Sequence, residues 1–335
     1  LNSLIEAIMY YYDLRPNSVE QLGKISRIET DHGLFALKET EIDRLRADEF
    51  IHAIRKLAKM NFNQFIPVIP TKFGEYTLFA GNKTYYLMPW IEPLEYAGRI
   101  SMEEVLSDHM GIIHRMTVKT QTASKEMLDH SCERLLSRWE LHALELSRFA
   151  DQAEMKGYIS PFELSFLTHY GMVEQLSQAA SHHLEKWYEA TLEKGSYRSV
   201  LTHGQLSRQH AMPTADNELL LLNFEQASLD TPARDIASFC RRGFPFALWS
   251  EDEVFRWFNR YQQHLPLLDP EKHLICAYLL FPEPIYYAVQ DYQNGGNEFE
   301  LVQKLEKRII AMRKVQRLVP KLAPTEIEEE PTSHQ

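Results

Sequence analysis

Cysteine is nearly missing from this chain. Its three thiols, Cys132, Cys240 and Cys276, lie far apart and form no CxxC pair. A disulfide framework and a thiolate zinc site are thereby excluded, and a reducing, intracellular setting is expected. Long apolar runs are also missing. None approaches the roughly 20 residues that a membrane-spanning helix needs, so no membrane insertion is expected. The opening stretch LNSLIEAIMYYYDL lacks a basic flank and a small-residue cleavage site, which argues against a signal peptide and for a short amphipathic helix. Positive charge is in deficit. Thirty-six Lys and Arg stand against 47 Asp and Glu, a net charge of −11. Counterion release needs basic clusters, so nucleic acid and anionic membrane are excluded as non-specific partners. There is no internal repeat, and no glycine-rich run near either Gly23 or Gly33.

What is present is ordinary for a globular protein: 44% hydrophobic and 25% charged residues. A length of 335 residues suffices for one large domain or two lobes. From Gln21 to Trp90 the pattern is mostly strand-like. KISRIET and LFALKE read as a hairpin turning at Asp31, His32 and Gly33. ADEFIHAIRKLAKM carries Phe50, Ile51, Ile54 and Leu57 at helical spacing. FIPVIPT and YTLFAGNKTYYLMPW read as further strands, with Gly81-Asn82 as a turn.

Beyond Trp90 the chain turns helical. Ser101 with Glu104 forms a capping-box signature, and long helices run to about Lys194. A short apolar strand pair, SVLTHG and ELLLLNFE, then brackets LTHGQLSRQHAM. Helices resume from Asp235. A last helix over Glu298 to Val319 places Leu301, Leu305, Ile309, Met312 and Val315 on one face, with Pro320 as its stop. Its basic residues read either as a solvated face or as a docking surface for an acidic partner. The tail PTEIEEEPTSHQ is acidic and poor in large apolar residues, the composition of a disordered segment.

Four features occur in a telling order: Lys38 in FALKE, a helix and strands ending in YYLMPW, the loop LTHGQLSRQHAM, and LLLNFEQASLDTPARDIASFCR. Each corresponds to one part of a phosphoryl-transfer site. Together with KWYEATLEKG they carry a resemblance over about Asn2 to Pro320. The chain resembles the aminoglycoside phosphotransferase and choline kinase superfamily. Within it, the chain is most similar to the spore-coat kinase-like proteins of the CotS type, nearest the YsxE branch.

The resemblance implies an α+β, two-lobed protein-kinase-like fold. Residues 1–90 would form a small, mostly antiparallel N-lobe with a leading helix and one main helix. Residues 91–323 would form a larger helical C-lobe, and 324–335 a disordered acidic tail. Carried over by position, His203 and Gly204 match the family's HG pair. Gln205 stands in the slot of the catalytic Asp, His210 in that of a metal-ligating Asn, and Asn223 in that of a metal-ligating Asp. Glu225, Pro232 and Asp235 match. Lys38 matches the strand lysine that contacts nucleotide phosphates. His52 falls nearest the slot of the helix acid that would pair with it, and Glu49 lies one turn earlier.

These substitutions have direct chemical consequences. A glutamine has no titrating group near pH 7 and cannot serve as a general base. Asn223 removes a negative charge from the metal site, and an imidazole at 210 suits zinc or copper better than magnesium. Two histidines, His203 and His210, lack a clear third ligand for a transition metal. Lys38 reads either as a strand-edge charge or as a phosphate contact. Glu225 alone is a weak magnesium site. His203 and Asp235 are expected to support the loop. No resident metal or cofactor is expected. The expected function is that of a catalytically degenerate kinase-like scaffold in spore coat assembly. Its partners would be other coat or coat morphogenetic proteins, in the mother-cell cytoplasm and the spore coat. The alternatives are an atypical phosphotransferase using ATP and magnesium on a small molecule or coat protein, and a nucleotide-binding switch without catalysis.

Overall fold

A computed structural model describes residues 2–92, 94–244 and 250–324. The chain divides into two compact units. One joins Leu1–Thr117 to Val200–Asp230, and the other joins Val118–Ser199 to Thr231–Gln335. The acidic tail from residue 325 onward lies outside the described residues.

In the first unit the elements run α1 (Asn2–Tyr10), β1 (Pro16–Leu22), β2 (Ile25–Thr30), β3 (Gly33–Thr40), α2 (Arg44–Lys59), β4 (Leu78–Ala80), β5 (Lys83–Pro89) and α3 (Met102–Thr117). The five strands form one antiparallel sheet in the order β1-β2-β3-β5-β4. One face of the sheet packs on α1, with Ile5, Ile8, Met9 and Tyr12 meeting Ile28, Leu37, Tyr85 and Leu87. Each such buried side chain contributes roughly 2 kcal/mol. The strand β1, PNSVEQL, was not expected. It is an edge strand with a largely exposed face, so it lacks the apolar alternation that marks a half-buried strand.

Asp43 caps α2, its carboxylate accepting from the Arg46 N–H at 2.8 Å. The helix thus begins three residues ahead of its apolar stripe of Ala47, Phe50, Ala53, Ile54 and Leu57. Ser101 and Glu104 form the expected reciprocal cap of α3, each bond being 3.2 Å. FIPVIPT is not a strand. Pro67 and Pro70 have no N–H to give a ladder, and the segment keeps only isolated pairings of Phe65 with Leu221 and Ile69 with Leu87.

The rest of the first unit comes from after residue 200. It comprises the end of β7 (Ser196–Thr202), β8 (Ala211–Pro213), β9 (Leu219–Leu221) and β10 (Ser228–Asp230). Here the expected pairing of SVLTHG with ELLLLNFE is replaced. Residues 200–202 pair with β10, and β9 pairs with β8. In addition, β9 exchanges backbone bonds with residues 64–66: Ile66 N–H to Leu221 O at 2.8 Å, and Leu221 N–H to Gln64 O at 2.9 Å.

The second unit holds β6 (Lys119–Thr122), α4 (Lys125–Glu154), α5 (Pro161–Lys194), the start of β7, α6 (Pro232–Gly243), α7 (Glu251–His264), α8 (Asp269–Leu280), α9 (Glu283–Gln293) and α10 (Glu298–Leu322). A capping box of Ser160 and Glu163 opens α5, and Gly195, at a φ of 62°, closes it in the left-handed region. Pro320 does not stop α10. It lies in the last turn, and Ala323 N–H still reaches Val319 O at 2.9 Å. Several basic residues of α10 are engaged within the unit. Lys304 bonds Asp291 at 2.6 Å, Arg317 bonds Glu251 at 2.8 Å, and Arg308 donates to the Pro284 carbonyl at 2.6 Å. The architecture is α+β, as expected. Among the described residues no helix is long and apolar enough to cross a membrane.

Candidate functional site

Lys38 lies on β3 opposite Tyr86 of β5, on the strand face that α1 does not cover. Its ammonium contacts the Glu225 carboxylate at 2.6 Å and donates to Asn223 Oδ1 at 2.5 Å. Both partners come from the turn after β9. Glu225 is held on three sides. Tyr86 Oη donates to its Oε1 at 2.7 Å and Thr40 Oγ1 to its Oε2 at 2.9 Å. Burial, then the adjacent Glu225 carboxylate, pushes the Tyr86 phenol well above its usual range, so it remains a neutral donor.

The turn itself explains why Asn occupies 223. The residue adopts φ 67° and ψ 50°, the left-handed region that Asn tolerates best among residues with a side chain. A 3-10 turn over Phe224–Gln226 then aims Glu225 back at the sheet. Arg46 of α2 clasps this turn, its Nη2 reaching Gln226 Oε1 at 3.1 Å.

The loop after β7 meets the same turn. Gly204 is required there. Its φ is +80°, and a Cβ at this position would sit 2.4 Å from the Gln226 carbonyl oxygen. His203 is buried against Phe224 and its Nε2–H donates to the Leu222 carbonyl at 3.0 Å. The Gln205 amide donates to the Asn223 carbonyl at 3.3 Å. Arg208 forms a two-pronged pair with buried Glu103 of α3, its Nη2 bonding Oε2 at 2.8 Å.

His210 completes a directional chain. Its Nδ1 lies 2.5 Å from the Gln205 carbonyl, which can only accept, so Nδ1 carries the proton. Nε2 then accepts from the Asn223 amide at 3.0 Å. The chain reads from His210 Nδ1–H to Gln205 O, from Asn223 Nδ2–H to His210 Nε2, from Lys38 Nζ to Asn223 Oδ1, and from Lys38 to Glu225. An Asp at 223 would present an acceptor to the acceptor Nε2. An Asn at 210 would lack the geometry of the ring.

The structure thus brings together Lys38, His203, Gln205, His210, Asn223 and Glu225. Asp235 belongs to the second unit, buried in the first turn of α6. The helix-acid slot is filled differently from expectation. Glu49 pairs with Arg46 at 2.7 Å, and exposed His52 faces a separate groove with α1 and residues 74–80. The carboxylate beside Lys38 is Glu225. Sequence reasoning did not find Thr40, Tyr86 and Arg46, and nothing local marks them, because their roles arise only when residue 225 arrives.

The arrangement has one carboxylate and one ammonium, already neutralising each other, and no titrating group at 205. Among the described residues no group of three or more His, Cys, Asp or Glu side chains is placed to hold a metal ion. A divalent cation entering between Asn223 and Glu225 would have to displace Lys38 from both oxygens. The residues present do not fit magnesium, which needs hard, charged oxygen ligands.

A family model described as "Spore coat putative kinase YutH" matches residues 5–320. The matching branch is thus YutH, where the residues had suggested YsxE. Among solved structures, an aminoglycoside phosphotransferase from Alicyclobacillus acidocaldarius is similar, with a TM-score of 0.79 at 17% identity over 94% of each chain. A spectinomycin phosphotransferase solved with ADP and spectinomycin gives 0.64 at 14% identity, over 95% of this chain and 98% of that one. A choline kinase from Streptococcus pneumoniae gives 0.51 at 14%, over 93% and 98%. The fold is therefore that of the aminoglycoside phosphotransferase and choline kinase superfamily.

Proposed function

The chain belongs to the spore coat YutH family of kinase-like proteins, and from that premise we propose that it is a catalytically silent interaction module of the spore coat. Its partners under this reading are other coat or coat morphogenetic proteins, met in the mother-cell cytoplasm and on the coat, and it works without a cofactor. One observation carries the proposal. The side chains at the two metal positions, His210 and Asn223, are hydrogen-bonded to each other, Asn223 also accepts from Lys38, and the Gln205 amide at the base position is turned onto the Asn223 backbone carbonyl. A site for metal-bound nucleotide leaves such groups facing the ligand; here His210 and Asn223 face each other and the Gln205 amide faces backbone. Loss of one member of a coupled catalytic set commonly costs about 10³-fold or more in rate, or roughly 4 kcal/mol of transition-state stabilisation.

The test is twofold. Unfolding temperature is followed with millimolar ATP, with and without magnesium, and transfer of radiolabelled phosphate is followed to coat proteins and to small hydroxyl and amine compounds. A ligand present at 100 times its Kd adds about 2.7 kcal/mol of stability, so binding would be visible. No shift and no transfer are expected. The triple variant Gln205→Asp, His210→Asn, Asn223→Asp is expected to gain a magnesium-dependent shift with ATP. Transfer by the unmodified chain would overturn the reading in favour of a phosphotransferase, which the Lys38–Glu225 pairing favours. A shift without transfer would favour a nucleotide switch.

A further inference from the structure

The antiparallel helices α4 and α5 leave a groove of about 700 Å³ between them in the second unit. On α4 the lining recurs at Asp129, Glu133, Leu136, Glu140 and Ala143, a stripe at helical spacing whose ends lie 14 positions apart. At 1.5 Å per residue the groove is about 21 Å long. Its floor is apolar. Trp139 stacks on Phe281 with ring centroids 4.5 Å apart, and both rings are almost fully buried beside Leu184.

The rim is charged with one sign. Four carboxylates line the groove, Asp129, Glu133, Glu140 and Glu185, and among the described residues no Lys or Arg does. Asp129 accepts from Tyr188 Oη at 2.5 Å, and among the described residues none of the four has an ion-pair partner. Their field is felt within the groove. The Cys132 thiol is raised above its ordinary value by burial and then by Asp129, Glu133 and Glu185. A helix pair that fills its own seam normally flanks the apolar stripe with charges of both signs that pair across it. This pair does not. Its apolar floor lies between unneutralised acids, and the groove has the length of four helical turns.

We propose that this groove docks a lysine- and arginine-rich amphipathic helix of a partner protein. The partner's apolar stripe would cover the half-buried Leu136 and Ala143 above the Trp139–Phe281 pair, and its flanking cations would meet Glu133, Glu140 and Glu185. An elongated groove with charge distributed along it suits a linear partner better than a compact molecule. The surface is separate from the Lys38 site. It is read without nucleotide, so phosphate transfer by the chain would overturn the preceding reading and leave this one untouched.

The test uses the full chain and a fluorescein-labelled 18-residue model peptide with a leucine stripe flanked by lysines, followed by fluorescence anisotropy. Saturable binding is expected, weakening with added salt. The double variant Glu133→Lys, Glu140→Lys is expected to raise Kd at least tenfold. Ala143→Trp, which fills the groove without changing charge, is expected to raise it at least fivefold. Glu154→Lys, one such charge reversal on α4 outside the groove, is expected to leave it within twofold. All these positions are exposed or half-buried, and an unchanged circular dichroism spectrum checks the fold. Three results would overturn the proposal: no saturable binding, equal loss in Glu154→Lys, or equally tight binding of spermine or of a glycine-spaced lysine peptide of the same charge. The last would mark a general polycation site.

Discussion

Removing the Glu225 carboxylate is the sharpest perturbation of the Lys38 site. In Glu225→Ala the Lys38 ammonium loses its counter-ion, and Tyr86 and Thr40 lose the acceptor for their hydroxyls. Breaking a buried pair by deleting one partner costs about 3–5 kcal/mol. Lys38 keeps Asn223 Oδ1, and its side chain retains 14% exposure, which lowers that figure. The stranded Tyr86 hydroxyl, fully buried, adds about 1–3 kcal/mol. A loss of about 4 kcal/mol results. With an m-value of about 3 kcal/mol per molar, the urea midpoint of the first unit falls by about 1.3 M. Lys38→Met costs less, about 2 kcal/mol, because Glu225 keeps two hydroxyl donors. The double variant is expected to be no worse than Glu225→Ala alone, a coupling of about 2 kcal/mol in the cycle. Urea unfolding followed by circular dichroism on the four proteins decides the matter. Strictly additive losses, or a midpoint shift below about 0.3 M for Glu225→Ala at unchanged m, would refute the Lys38–Glu225–Asn223 network on which the proposed silence of the site rests.

Gly204→Ala should destabilise by about 3 kcal/mol, because the positive φ and the contact with the Gln226 carbonyl act together; a loss under 1 kcal/mol in the same urea assay would place the loop elsewhere. Glu163, at the start of α5, supplies a pH signature. Burial works to raise its pKa, but the Lys156 ammonium and the Ser160 N–H outweigh it and hold the carboxyl below its ordinary 4.5. Its contribution is therefore full above pH 4.5 and is lost as pH falls through the depressed folded value. Glu163→Gln is expected to lower stability by about 1–2 kcal/mol at pH 7, since Lys156 is half exposed. The gap between variant and parent should narrow steadily below pH 4.5, and a gap independent of pH would show that the charge is not what matters.

Much of the fold could be read from local pattern. The spacing of Phe50, Ile54 and Leu57 marks α2, Ser101 and Glu104 mark the start of α3, and Gly81-Asn82 marks the β4–β5 hairpin, because each depends on residues a few positions apart. The failures share a cause. The strand β1 has no apolar face to announce it, and FIPVIPT has one but cannot donate from its prolines. Pro320 reads as a stop by itself, yet α10 runs through it to Leu322, which packs in the core. The sequence also marked Lys38, His203, Gln205, His210, Asn223 and Glu225 individually, through the order of the motifs around them.

What the chain of letters determined by itself was chemical capacity: an amide cannot take a proton at 205, and a neutral residue at 223 cannot supply the missing charge. Only the tertiary structure decided what those groups do instead. Lys38 and Glu225 are 187 positions apart, and which carboxylate meets the ammonium depends on β9 joining residues 64–66 and on a left-handed turn at Asn223. The direction of each hydrogen bond, from Lys38 through Asn223 to His210, follows from that convergence. Hydrogen bonds reach only about 3 Å, so no pattern within a local window of sequence could have fixed it.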